Sequence, residues 1–432
     1  MKARLAVAPL VVVSSLVLAA CGGHGVSKAG VAQQSAAPIT IWVDDTRTRP
    51  AQEYAAAHPE LKATIKSVDN THGNISAQIA LAVKAGKDVP DAVFLSYPDE
   101  LANMLVNPVN YALPLDDVVG PDVLSGFAKG STAACTFDGK TYCLPNDLAQ
   151  TVLYYNKSLF EQFGYTVPKT SDEWLALGLR VGKEHPGYSL GSVNSRYGLN
   201  GYYGSSGCEF NASSAPTTVS IDVKSQACTR VDDVIGPLMA NSTLSPLDPF
   251  DAAYTPVVKS DKLLATISPA WMGEYGIKPN APQKGAWAVA PMPLWKGATT
   301  NTSGTAGGGI WVVSALSTNQ AGAARFVSGM ATDPTVQGAS PSYPAATAAA
   351  DVWLKKVSQD DWYAEDPSAV YRDAAGRISP TLGFVRFQVQ AEDAFNATIL
   401  RSRGQDIGAA LTAFGEQLTK AAQSASYTVK GG

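Results

Sequence analysis

Asp91-Ala-Val-Phe-Leu-Ser96 is a short apolar run that follows the turn-forming Val89-Pro90 and closes on a serine. Too brief for a helix and flanked by a breaker, it predicts a buried strand. Ile39-Thr-Ile-Trp-Val43, upstream, is a second β-prone run. Two helical stretches lie between them. Pro50 to His58 has a proline suited to a first helical turn and Tyr54 on its inner face. The other can be capped by Asn74 and puts Ile75, Ile79, Ala82 and Val83 on one side. Strand and helix therefore alternate, which predicts an α/β fold with a largely parallel sheet covered by helices. Downstream, Thr151-Val-Leu-Tyr-Tyr155 resumes the pattern, and a helix from about Ser171 carries Trp174, Leu175 and Leu179. Leu263 to Ile267 and Trp287 to Ala290 read as further strands, and Gln388 to Ala422 as a long helical region.

The 432 residues, 45% of them hydrophobic, suffice for two cores. The formal charge is −4, from 33 basic and 37 acidic residues, with no run of five like charges. Such a balance argues against a nucleic-acid partner and against electrostatic attachment to a membrane.

The amino terminus reads as an export signal. Lys2 and Arg4 precede an apolar stretch, Leu5 to Val17, shorter than the roughly 20 residues that span a bilayer. Leu18-Ala19-Ala20-Cys21 is similar to a bacterial lipobox, which implies cleavage after residue 20 and acylation of Cys21. Residues 21–37 then form a flexible tether. Export makes Cys135, Cys143, Cys208 and Cys228 a disulfide set. Three connectivities are possible. Asp138-Gly139 between short β-prone flanks predicts a hairpin that Cys135–Cys143 would staple, and local pairing leaves Cys208 with Cys228.

In chain order the segments resemble the family 1 extracellular solute-binding proteins, the group that contains maltose-binding protein. The landmarks are Ile39 to Val43, Val89-Pro-Asp-Ala-Val-Phe94, Phe137 to Pro145, Leu153-Tyr-Tyr-Asn-Lys-Ser-Leu-Phe160, Ala265 to Trp271, Val289 to Pro293, Gly307-Gly308-Gly309 and Gln320 to Phe326. Pro269-Ala270-Trp271 departs from the family's Gly-Pro-Trp, and the cysteine pairs are not general to it. The resemblance implies a two-lobed, type II periplasmic-binding-protein (Venus-flytrap) fold. Its three inter-lobe crossings fall near residues 147–151, 293–308 and 338–346. One lobe would comprise 38–148 and 300–342, the other 149–299 and 343–425. It implies a lipid-anchored extracytoplasmic monomer that captures a mono- or disaccharide and hands it to an ABC permease. A glycerophosphodiester or an amino sugar is the alternative ligand.

A sugar offers apolar C–H faces to flat rings and hydroxyls to planar polar groups. By the family pattern Trp271 stacks on the ligand. The loop Asp44, Asp45, Thr46 and Arg47 donates polar contacts, with helix capping as the other use of those residues. Tyr97 and Asp99 occupy the equivalent loop after Phe94, where Asp99 also suits a helix N-terminus. Asn146 and Asp147 precede the first crossing. Tyr202 and Tyr203, within Gly-Tyr-Tyr-Gly, read as a flexible loop with one ring facing the cleft. Gly308, between two more glycines, lets backbone approach a ligand or acts as a hinge. Trp311, Tyr343, Phe384, Arg386 and Phe387 are further candidates, and Arg386 would suit a charged ligand.

The rival class is a secreted glycoside hydrolase working with two carboxylates. No local signature nominates such a pair. The sequence has four histidines, and no His-Glu-x-x-His, Gly-x-Ser-x-Gly or phosphate-loop motif, so neither cofactor nor metal is expected.

Overall fold

The computed structural model describes residues 37–300, 302–379 and 383–430. The leader, Cys21 and the tether to residue 36 lie outside the described residues. The strands in chain order are β1 (Ile39–Val43), β2 (Ala63–Ser67), β3 (Ala92–Leu95), β4 (Thr136–Phe137), β5 (Lys140–Thr141), β6 (Leu144–Pro145) and β7 (Thr151–Asn156). They continue with β8 (Glu209–Ala215), β9 (Thr218–Asp222), β10 (Ala265–Pro269), β11 (Trp287–Ala290), β12 (Ile310–Val313) and β13 (Thr428–Lys430).

One lobe is built on the sheet β2-β1-β3-β12-β6 and the other on β10-β7-β11, with the small sheet β13-β9-β8 at its far side. The expectation of a largely parallel sheet holds for β2, β1 and β3 in the first lobe and, in the second, for β13 on β9 alone. β12 runs antiparallel to both β3 and β6, and β10 and β11 run antiparallel to β7. The reason is the route of the chain. β1 and β3 end at the gap between the lobes, whereas β12 begins there, as the chain returns from the other lobe, so it must run the opposite way.

The chain passes between the sheets at residues 146–150, 291–309 and 339–346. Short pairings, Asp147 with Pro344 and Gln150 with Thr305, lay these segments side by side. After the third passage, the helix Ser368–Ala375 packs on β7, where the Tyr371 and Tyr154 hydroxyls are 2.8 Å apart. The first core gathers Ile41, Val43, Phe94, Trp311 and Phe326. The second gathers Leu153, Trp174, Val181, Leu238, Phe395 and Phe414. Each such side chain, fully buried, stabilises its lobe by about 1.5–3 kcal/mol.

Local readings differ from the sequence in three places. The first helix starts at Asp45, not Pro50, because Asp44 caps it by accepting from Arg47 N, so Pro50 lies inside the helix. Asn74 is the first helical residue after Gly73, its side chain turned back to Asp69. The C-terminal region is broken between Gln388–Phe395 and Ile407–Ser424. The predicted hairpin is present: β4 pairs with β5 across Asp138 and Gly139, both at positive φ, and Cys135 is bonded to Cys143. Cys208 is bonded to Cys228. Among the described residues no helix is long and apolar enough to cross a membrane.

Candidate ligand-binding cleft

β1 and β3 lie in parallel register, so the loops that follow them meet at the gap between the lobes. Asp44, at the end of β1, is the hub. Its carboxylate accepts from Arg47 N at 2.8 Å, Thr46 Oγ1 at 2.9 Å and Ser96 Oγ at 2.5 Å. Arg47 is held in turn. Its guanidinium lies over the Phe94 ring at 4.5 Å, donates to Thr46 Oγ1 at 2.7 Å and stands 3.9 Å from Asp147 Oδ1. Burial pushes the Asp147 carboxyl upward, and Arg47 pulls it the other way. Asp147 also accepts from Gly309 N at 3.0 Å, which fixes the third glycine of its run.

That run supplies the cleft's back wall. Gly307 and Gly308 have φ of +101° and +87°, which only glycine adopts without strain. A Cβ on Gly308 would sit 3.1 Å from the Asp147 carbonyl, and one on Gly309 would sit 2.2 Å from Phe94 Cζ. Against Gly307 stands Trp271, two residues past β10. Its indole N–H donates to the Ala306 carbonyl at 3.0 Å, which locks the ring plane. Phe250, about half exposed, stacks on it with centroids 6.1 Å apart. Asp44, Arg47, Tyr97, Asp147, Arg196, Trp271 and Tyr275 line a cavity of about 200 Å³.

At the rim the two lobes touch. Tyr97 is held between the His72 ring, stacked at 4.2 Å, and the Arg196 guanidinium, 4.2 Å away on the other lobe. His72 Nε2 is bonded to Asp99 at 2.7 Å, and its Nδ1 stands 3.7 Å from Glu392 of the second lobe. Burial works against a charged imidazole here. The two carboxylates outweigh it and raise the His72 pKa to about 10.

Of the residues singled out from sequence, Asp44, Arg47, Tyr97, Asp147, Gly308 and Trp271 converge on this cavity. Asn146 lies behind it, accepting from Trp311 Nε1 and donating to Asp147. Asp99 sits beside it, under Tyr97. Asp45 does not join them: as the first helical residue it is exposed and turned outward.

Tyr202 and Tyr203 are corrected outright. Gly-Tyr-Tyr-Gly belongs to a wide helical turn, Tyr197–Tyr203, and both rings are buried in the second core, with Tyr203 donating to Asp232 at 2.5 Å. Phe387 is core as well, edge-on to Tyr427. Arg386 reads no ligand, because its guanidinium covers the Tyr427 ring and donates to the Pro216 and Ala425 carbonyls. Trp311 and Tyr343 are buried, while Phe384 borders the cavity under Tyr97.

Sequence reasoning missed Arg196, Tyr275, Asn70 and the His72–Glu392 contact. Tyr275, one helical turn after Trp271, was within reach of a periodicity argument. The others are joined only by the fold.

A family model described as bacterial extracellular solute-binding protein matches residues 43–337. An arabinooligosaccharide-binding protein of Halalkalibacterium halodurans is 26% identical over 145 residues, 33% of this chain and 29% of that protein. A galactooligosaccharide-binding protein of Bacillus subtilis is 29% identical over 161 residues, 37% of this chain and 36% of that protein. These likenesses span about a third of either relative's length. Among solved structures, the galacto-N-biose-/lacto-N-biose I-binding protein of Bifidobacterium longum, in complex with lacto-N-biose, superposes with a TM-score of 0.74 at 17% identity. That alignment covers 93% of this chain and 100% of that one. An ABC-transporter-associated binding protein from B. animalis subsp. lactis, in complex with β-1,6-galactobiose, gives 0.73 at 19% identity over 91% of this chain and 99% of that one. Both share the two-lobed fold.

Proposed function

The chain belongs to the bacterial extracellular solute-binding proteins, and from that premise we propose that it captures a sugar between its lobes and delivers it to an ABC permease. One observation carries the reading: an indole locked in plane by its own N–H faces a set of fixed polar side chains across a small cavity. The indole suits the C–H face of a pyranose. Asp44, Asp147, Asn70 and the two arginines suit its hydroxyls. Because the polar groups already hold one another in place, little order is lost on binding.

The lobes are 38–148 with 300–342, and 149–299 with 343–425, the second continuing into β13. Closure follows from ligand contacts to both lobes, which favour the closed state by their differential affinity. The protein works without catalysis, as a monomer outside the cytoplasm, tethered through acylated Cys21. The extracytoplasmic family to which it belongs supports that placement.

Calorimetry against a carbohydrate panel tests the reading. A saturable signal with at least one neutral sugar and no turnover of that sugar is expected. Binding only of glycerophosphodiesters or amino sugars would reassign the ligand, and release of free sugar from any glycoside would overturn the non-enzymatic role.

A further inference from the structure

Trp271 sits on a stretch of backbone that is tied down from several directions. Ala270 N donates to the Gln150 carbonyl at 2.8 Å, inside the first passage between the sheets. The indole N–H reaches the Ala306 carbonyl, inside the second. Two further groups beside the ring, the Ala270 carbonyl and the Gly273 amide, meet on one atom. The Tyr154 hydroxyl donates to the first at 2.7 Å and accepts from the second at 3.3 Å. A single hydroxyl on β7 thus brackets Trp271 from the residue before it to the second residue after it. Gly273 makes room for this: a Cβ there would sit 3.1 Å from the Tyr154 hydroxyl oxygen and 3.2 Å from that of Tyr363.

The hydroxyl does not act alone. A phenol has one proton to give. Burial pushes the hydroxyls of Tyr154, Tyr363 and Tyr371 above their ordinary value, so all three keep theirs. Tyr154 gives its proton to Ala270, so in its 2.8 Å contact with Tyr371 it is Tyr371 that donates. Tyr363, 3.1 Å from Tyr371, donates to it by the same reasoning. The order of donation therefore runs from Tyr363 to Tyr371 to Tyr154 to the Ala270 carbonyl. A chain of this kind polarises along its length and strengthens its last bond. Gln150 closes the ring, its Nε2 donating to the Tyr371 carbonyl at 3.2 Å. None of the three tyrosines lines the cleft cavity.

We propose that Tyr154, backed by Tyr371, is a positioning residue for ligand binding, setting affinity through the angle at which it holds Trp271. It never touches the ligand. The proposal rests on Trp271 being the surface on which a sugar stacks. A platform already fixed loses little order when the sugar arrives, and one whose backbone can tilt loses more.

The test has two arms, both on the full-length chain. Without ligand, NMR follows exchange of the tryptophan indole N–H protons, the Trp271 signal being the one lost in Trp271→Phe. Tyr154→Phe should speed exchange at Trp271 about tenfold, and Tyr371→Phe by a smaller factor. Neither should change exchange at Trp295, whose N–H is bonded to Ser205 in the same lobe. With ligand, calorimetry uses β-1,6-galactobiose, lacto-N-biose and maltotriose as probes. For a probe that binds, Tyr154→Phe should raise Kd about tenfold in the wild-type chain and less than twofold in a Trp271→Ala chain. Tyr371→Phe carries both arms where Tyr154→Phe does not fold. Unchanged exchange at Trp271, or equal acceleration at Trp271 and Trp295, would overturn the proposal. So would an unchanged Kd, or a loss of affinity that persists without the indole. No binding of any probe would sink the sugar reading, and the hold of Tyr154 on the ring would then stand or fall on the exchange rates.

Discussion

Replacing Glu392 by glutamine should shift the lobes toward the open state and weaken ligand binding at pH 7. His72 and Asp99 belong to one lobe and Glu392 to the other, so the His72–Glu392 pair at 3.7 Å spans the rim. The side chains are mostly buried, at 13% and 19% exposed. Two unit charges at that distance attract by about 1 kcal/mol in a water-like medium and about 4.5 kcal/mol at an effective dielectric of 20. Desolvation and side-chain ordering offset most of this, leaving a net of about 1–2 kcal/mol. That is roughly a 5- to 30-fold change in the closed-to-open ratio, and apparent affinity falls by up to the same factor. Calorimetry gives the affinity, and small-angle scattering of the ligand-free protein gives the spread of the lobes. The pH dependence has a definite sign. A histidine raised from 6.5 to about 10 contributes fully below the unfolded value and loses its effect as pH rises through about 10. The stability that His72 confers should therefore be greatest below about pH 6.5 and decline steadily as pH rises toward 10, and the Glu392→Gln variant should show a shallower decline. If the Glu392→Gln variant binds within twofold of wild type and scatters identically, the rim pair does not hold the lobes together.

Trp271→Ala should weaken sugar binding by about 2 kcal/mol, roughly 30-fold, while the melting temperature stays nearly constant, because the ring is only partly buried; an unaltered Kd would remove Trp271 as a stacking surface. Asp232 is a buried carboxyl whose pKa rises to about 7, chiefly through burial, with the Tyr203 hydroxyl pulling against that shift. A raised carboxylate costs stability as pH climbs from about 4 to about 7, where the unfolded chain ionises first. Asp232→Asn should thus flatten the fall in urea-unfolding free energy over that range, by on the order of 1–3 kcal/mol, and an unchanged slope would refute the assignment. The pair of changes Cys135→Ser and Cys143→Ser should lower stability by about 2.5 kcal/mol, given a sequence separation of 8, with sugar affinity retained. A lost affinity would mean that the hairpin shapes the cleft.

The buried strands announced themselves as apolar runs, and the hairpin as Asp-Gly between β-prone flanks, because burial and turn chemistry are local. Strand direction was not local. That β12 opposes β3 depends on where the chain has been in the intervening two hundred residues, and no pattern within Ile310–Val313 records it. At the site, residues directly after strands were legible, since a loop at a strand's end must face the gap. Tyr202 and Tyr203 misled because glycines flank them. The stretch instead belongs to the wide helical turn Tyr197–Tyr203; a Cβ on the flanking Gly201 would meet only the Thr151 side chain, at 3.7 Å, while one on Gly198, earlier in that turn, would strike Phe395 at 2.5 Å. Arg196 carries no signature at all, and its place over Tyr97 is a product of two lobes meeting.

β12 lies between β3 and β6, in the interior of the first lobe's sheet, although it follows the larger part of the second lobe in the chain. A ribosome that has made everything through β6 has therefore made only an incomplete sheet, with β3 and β6 still waiting for their shared neighbour. Until Ile310–Val313 emerges, the nascent polypeptide has no finished half to lock into shape. Passage through a translocation pore as an unstructured thread asks nothing more of such a chain, and any fragment truncated before that strand should remain a substrate for proteases.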